Sequence, residues 1–138
     1  MNKIHLHNTE NPIDIPKYHS LNFDQMIKLE DNSVESVFML DILDYHNKTQ
    51  ASTILETIHN KLIKDGELIV QSPDLKQLII CMNFNKIDFN QGKAVLYDQR
   101  VTMHQMEDLI NKVCEHNFKC KVKKYINTFE CFLEFNKI

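Results

Sequence analysis

A three-layer α/β domain around a mostly parallel sheet is what this chain predicts, and three stretches carry the prediction. Val34 to Leu40 (VESVFML) is a largely apolar run of strand length, the pattern of a strand covered on both faces. Thr49 to Lys64 places Ala51, Ile54, Leu55, Ile58 and Leu62 at the three- and four-residue spacing of one helical face. Near the C-terminus, Lys119 to Lys123 alternates polar and apolar, and Phe129, Cys131, Leu133 and Phe135 alternate again. With Asn127-Thr128 between them, these two runs predict an antiparallel hairpin.

The remaining elements follow in order. Lys3 to His7 alternates as a strand, and Asn8 to Pro16, with two prolines, is a loop because proline fixes φ and removes a donor. Tyr18 to Phe23 forms a second short strand, and Glu30-Asp31-Asn32-Ser33 is turn chemistry leading into Val34. The helix over Thr49 to Lys64 ends on Lys61 and Lys64, with Gly66 as its C-terminal cap. Leu68 to Val70 opens another buried strand. Ser72-Pro73-Asp74 caps a helix whose inner face is Leu75, Leu78, Ile79 and Met82. Asn83 to Tyr97, polar and interrupted by Gly92, reads as a loop or lid. Thr102-Met103-His104-Gln105 has the spacing of a capping box, opening a helix with Met106, Leu109, Ile110, Val113 and Cys114 inward and Asn117 as its left-handed stop.

The chain has 138 residues, the length of a single domain over 1–138 with a core of its own. A hydrophobic fraction of 43% with 25% charged residues is that of a soluble globular protein, and a net charge of -3 argues against nucleic acid as partner. The longest apolar stretches, such as Ser36 to Leu43, fall far short of the ~20 residues of a membrane span, so no membrane is expected and the cytoplasm is the expected location. Cys81, Cys114, Cys120 and Cys131 include no CxxC pair. All but Cys81 sit in patterns of a helix or strand interior, which predicts reduced, buried thiols rather than a disulfide framework or zinc site.

Asp41, Asp44, Tyr45 and His46 fall just past the carboxyl end of a parallel strand, where ligands bind in open α/β sheets, and are the candidate catalytic residues. A strand-to-helix loop gathers polar residues without any site, so the same cluster also has a purely structural reading. His5 and His7 share one strand face, as metal ligands do, but no third and fourth ligand follows at a recognisable spacing, and no metal is expected. His59 and His116 read as solvated. Cys114 with His116, or Cys81 with His104, lacks an orienting third group for a nucleophile pair. Lys119, Lys121, Lys123 and Lys124 read as a solvated face that protects a sheet edge.

IKLEDNSVESVFML, KLIKDGELIVQSPD and TMHQMEDLINKVCEHNF, in that order, resemble class I S-adenosylmethionine-dependent methyltransferases. The likeness is nearest to the small predicted methyltransferases with the pattern LPFEDNSVDEIYASHVLEH followed by RVLKPGGKLIISVPD. The resemblance implies a Rossmann-like fold, S-adenosylmethionine as cofactor and a small-molecule methyl acceptor. It places the cofactor over Leu6 to Asn8, Asn22 to Asp24 and Leu40-Asp41, and so implies His7, Asn8, Asn22, Asp24, Leu40 and Asp41 as its contacts.

Departures from the pattern fall in the first half. The glycine loop after the first strand is His7-Asn8-Thr9-Glu10-Asn11, in a chain whose only glycines are Gly66 and Gly92. The stretch before Tyr18 is too short for a helix plus a strand, so this half is abbreviated. The acidic position near the adenine is Asn22, the proline before the EDNSV turn is Lys28, and the paired histidines are replaced by Leu40-Asp41 and Asp44-Tyr45. Three functions are therefore carried forward: a divergent methyltransferase, a pseudoenzyme serving as a binding or oligomerisation module, and a small-molecule hydrolase using Asp41, Asp44 and His46. Self-association into a homo-oligomer is expected because a trimmed sheet exposes edges and faces.

Overall fold

The computed structural model describes residues 2–96, 98 and 100–138. Its elements run β1 (Asn2–Leu6), β2 (His19–Leu21), α1 (Phe23–Ile27), β3 (Val34–Leu40), α2 (Lys48–Lys61), β4 (Leu62–Pro73), α3 (Leu75–Asn83), α4 (Phe89–Leu96), α5 (Met106–Cys114), β5 (Phe118–Ile126) and β6 (Glu130–Lys137). One six-stranded sheet has the order β2-β1-β3-β4-β6-β5. The first four strands are parallel, and β6 pairs antiparallel with both β4 and β5. The predicted Rossmann-like α/β architecture is the observed one, with its antiparallel hairpin and short first half.

The core lies on one face of this sheet. Ile4, Leu6, Val37, Met39, Leu68, Val70, Leu133 and Phe135 point to it from alternate strand positions, and α2 and α5 cover them with Ile54, Leu55, Ile58, Leu109 and Val113. The opposite layer is reduced to the connection between β1 and β2. From it Tyr18 reaches across, its hydroxyl 3.0 Å from Ser36 Oγ and its ring edge-on to Phe38. Beyond Tyr18, towards β4, β6 and β5, no helix covers this face among the described residues, and Glu67, Gln71, Phe132 and Glu134 are only half-buried.

Several expectations need correction. Asn22 does not extend a strand; it opens α1 through a capping box with Gln25. Helix α2 ends at Lys61, and Leu62 is already extended, so the predicted cap at Gly66 is instead a turn inside the long β4. Asp65 takes the left-handed conformation there (φ 60°), while a Cβ on Gly66 would meet Ile63 O at 2.8 Å. Close backbone approach, not a positive φ, explains that glycine. In α3 the inner residues are Leu78 and Cys81, and Ile79 faces out. The predicted loop contains α4, with Gly92 packed against Met82; Tyr97 at its end lies outside the described residues. Helix α5 has no capping box of its own. The Asp74 carboxylate, which N-caps α3 through Gln77 N at 2.7 Å, also accepts from Met106 N at 2.6 Å. One buried aspartate thus satisfies the start of two helices. All four thiols are free: Cys131 and Cys81 are buried, Cys120 is half-buried, and Cys114 is exposed, contrary to its inward expectation.

Candidate functional site

Strand β3 delivers its next residue, Asp41, into the left-handed region at φ 55°, a conformation aspartate tolerates better than most residues. The Asp41 N–H donates to Gln71 O of β4 at 2.7 Å, which fixes the turn to the sheet. A short 3-10 turn over Leu43–Tyr45 follows. Asn47 and Gln50 then form the capping box that opens α2. Asp41, Asp44 and Tyr45 therefore stand together at the carboxyl end of a parallel strand.

The residue that organises them escaped the sequence reading. Arg100 forks across both carboxylate oxygens of Asp41, one contact being 2.6 Å, and reaches Asp44 Oδ2 at 3.1 Å. Its guanidinium carbon lies 5.0 Å from the centre of the Tyr45 ring. Asp44 is fully buried and also accepts from His104 Nδ1 at 2.8 Å. Its carbonyl accepts from the N–H groups of Val101 and Thr102 at 2.8 and 3.0 Å. Tyr45 donates its hydroxyl to Asp98 at 2.6 Å. The chain around Arg100 is thus a strap latched across the end of the sheet. The only available signal was that Arg100 is the single arginine beside fifteen lysines, and a planar fork is what bidentate carboxylate pairing needs.

The electrostatics follow from this packing. Burial lifts the Asp41 carboxyl above its usual range, with Arg100 pulling in the opposite direction. Burial opposes the charge on Arg100, but the bond and field of Asp41 outweigh it and hold the guanidinium charged. Burial first, and the bond to Asp98 second, push the Tyr45 phenol up and keep it neutral. Arg100 thus engages both Asp41 and Asp44, while Asp98 accepts from Tyr45 and Glu130 accepts from Gln71.

Other candidates separate. His46 turns away from the aspartates, donating Nδ1–H to Ile42 O at 3.0 Å. Cys81 bonds Thr128 O and His104 bonds Asp44, so that pair is not assembled. His5 and His7 lie with ring centres 6.0 Å apart, and the described residues contain no cluster of three or more metal-ligating side chains. Burial, and then His7, lower the His5 pKa. His59 is not solvated as expected: Nε2 is buried without a partner, and the ring stands edge-on to Phe118. His116 is half-buried.

A cavity of about 520 Å³ opens at the strand ends, lined by Asn8, Thr9, Leu40, Asp41, Tyr45, Asp98 and Glu130. A shallower one of about 340 Å³ lies beside it, among His7, Asn8, Asn22 and Asp24. The residues implied as cofactor contacts therefore divide between two adjoining cavities that share Asn8 and Thr9.

No family model and no curated protein sequence matches the chain. Solved structures do. Magnesium protoporphyrin IX methyltransferase from Synechocystis PCC 6803 with bound SAH superposes with a TM-score of 0.59 at 14% identity, over 88% of this chain and 52% of that one. A SAM-dependent methyltransferase and possible histamine N-methyltransferase from Thermotoga maritima gives a TM-score of 0.63 at 17% identity, over 88% of this chain and 65% of that one. The fold is that of the S-adenosylmethionine-dependent methyltransferases. The chain spans 52% to 65% of the length of these two proteins. Among its described residues, no helix is long and apolar enough to cross a membrane.

Part of the first-strand turn is engaged within the chain itself. The His7 N–H is spent on Leu21 O at 3.0 Å, and no residue from His7 to Asn11 has a positive φ. His7 Nδ1 is buried there without a partner. The Asn22 side-chain oxygen is consumed in capping α1 by accepting from Gln25 N at 2.9 Å. One donor, the His7 N–H, is thus held by the sheet, and one acceptor, the Asn22 carboxamide oxygen, by the cap of α1.

Proposed function

We propose that this chain is a methyltransferase-fold module that binds a macromolecular partner rather than a catalyst of methyl transfer. The observation that carries the reading is the pairing of Arg100 with Asp41 and Asp44 over the strand ends, next to a first turn in which the His7 N–H is already bonded to Leu21 O. A fold retained without its ligand-binding turn serves well as a scaffold, because the core that stabilises it does not depend on that turn. Isothermal titration with S-adenosylmethionine and S-adenosylhomocysteine tests it. The reading predicts no heat of binding up to about millimolar ligand, whereas saturable micromolar binding overturns it.

A divergent methyltransferase is the second reading, favoured by the open cavity of about 520 Å³ beside Leu40 and Asp41. Transfer from a sulfonium relies mainly on positioning the acceptor in line, so the missing histidine pairs alone do not oppose it. The hydrolase reading has less support, because His46 is bonded to Ile42 O and both aspartates are engaged by Arg100. Asp41→Asn with unchanged turnover of any substrate found would remove it.

A further inference from the structure

Uncovered apolar side chains are concentrated in one part of the molecule. Ile79, Phe84, Phe89 and Leu96 are 46%, 72%, 65% and 36% exposed, and all four belong to α3, α4 and the loop joining them. Single exposed residues such as Ile13 or Ile138 are ordinary on a protein surface, whereas a cluster calls for a partner.

Local geometry brings the cluster to one side. Helix α3 ends at Asn83 and α4 starts at Phe89, a connection short enough to fold the second helix back on the first, and Gly92 packs against Met82 where they meet. Ile79 lies three residues before Met82, and Phe89 lies three residues before Gly92, so each stands on the same flank of its helix relative to that contact. In helices running in opposite directions these flanks face the same way. Lys76 extends the flank of α3, Lys93 and Leu96 extend that of α4, and Phe84 and Lys86 occupy the loop at the tip. Helices α3 and α4 touch each other more than they touch any other element, so the pair projects from the domain instead of lining a groove. Lys76, Lys86 and Lys93 are exposed and form no ion pair among the described residues. Asp88 is the only acidic residue from Leu75 to Leu96, which makes this a positive patch on a chain of net charge -3.

We infer that the α3–α4 hairpin is a docking surface for an anionic lipid bilayer, with Phe84 and Phe89 entering the interface and the three lysines set against the headgroups. Lysine stems lie along apolar surface while their ammonium groups stay at the level of lipid phosphates and carboxylates, so one flank satisfies both layers of the interface. A helix of an acidic protein would call for a groove, and the hairpin is a projection. Nucleic acid would call for a longer basic track, and Ile79 and Leu96 offer nothing for a base to stack on. The contact is with a membrane surface and involves no spanning segment. It goes beyond the reading of the chain as a binding module and does not depend on the first turn.

The test is sedimentation of the protein with vesicles. Wild type should be half-bound at about 1 mM lipid or less on phosphatidylcholine vesicles containing about 30% phosphatidylserine, and at least about tenfold more weakly on phosphatidylcholine alone. Raising salt from about 0.1 M to about 0.5 M should weaken binding. Lys76→Glu with Lys86→Glu and Lys93→Glu, and separately Phe84→Ser with Phe89→Ser, should each lose at least about tenfold in affinity. All five positions are exposed, and circular dichroism and thermal melting confirm that both variants are folded. Because the chain has no tryptophan, Phe84→Trp places a single reporter at the tip, and its emission should move to shorter wavelength when anionic vesicles are added. Wild type that stays in the supernatant at about 5 mM anionic lipid, variants that bind as well as wild type, or an unshifted emission overturns the inference. Binding to polyglutamate as tight as to vesicles would assign the hairpin to an acidic protein and overturn it too. Cofactor titration reads a different part of the chain, so failure here leaves the reading of the first turn standing, and the reverse.

Discussion

The two halves of this sheet were built to different standards. From β3 onward every strand has its partner and, on one face, its covering helix, and Val37, Met39, Leu68, Leu133 and Phe135 are all fully buried on that face. Before β3, a three-residue β2 follows β1 through a connection without a helix, and that connection supplies a tyrosine and little else to the opposite layer. The complete half is the part that holds the core; the abbreviated half is the part where a methyltransferase binds its nucleotide. Burial therefore stabilises the fold chiefly in the half that does not include the first turn.

The largest expected effect sharpens this contrast within one strand. Leu133→Ala on β6 removes a fully buried side chain from beneath the helices and should cost about 3–4 kcal/mol in urea unfolding. Phe132→Ala, its neighbour on the bare face, should cost about 1 kcal/mol in the monomer. Equal losses would mean that the second face is packed as tightly as the first.

Next comes the latch. Asp44→Ala leaves Arg100 and His104 buried beside a lost carboxylate and should destabilise by about 3 kcal/mol. Arg100→Met removes the charge from the other side and should also loosen the strap, seen as faster amide exchange at Val101 and Thr102, whose N–H groups bond Asp44 O. Unchanged exchange there would show that the strap is held by something other than this network.

A smaller effect depends on pH. Burial pushes the Cys131 thiol up to about 11. In the unfolded chain it ionises near its ordinary value, so from there upward the unfolded state has lost a proton that the folded state keeps. Stability should fall over that window by on the order of 2 kcal/mol, and Cys131→Ala should flatten the slope. A slope unchanged by the substitution would assign it to another group. The smallest effect is on rates: the exposed Cys114 should react with a thiol reagent first, while Cys81 and Cys131 should wait for unfolding.

What the sequence revealed and what it hid divide along physical lines. Val34 to Leu40 was legible to the residue because an apolar run bounded by a turn has few other uses, and the hairpin because alternation and Asn127 agree. Helix α4 was hidden, since a short segment with Gly92 inside it has weak local preference and is held by contact with Met82. The start of α5 was misread for a related reason: its cap is Asp74, a residue far off in sequence. In the site, Asp41, Asp44 and Tyr45 were legible from their place after a strand. Arg100 was not, because ion pairs between residues 56 and 59 positions apart leave no periodic trace.

The most direct measurement follows the backbone amides of His7, Asn8, Leu40 and Asp41 by NMR while S-adenosylhomocysteine is added to about millimolar concentration. The account predicts that these signals stay where they are, since the His7 N–H is already bonded to Leu21 and Asp41 is held by Arg100. Saturable shifts centred on His7 and Asn8 would contradict it.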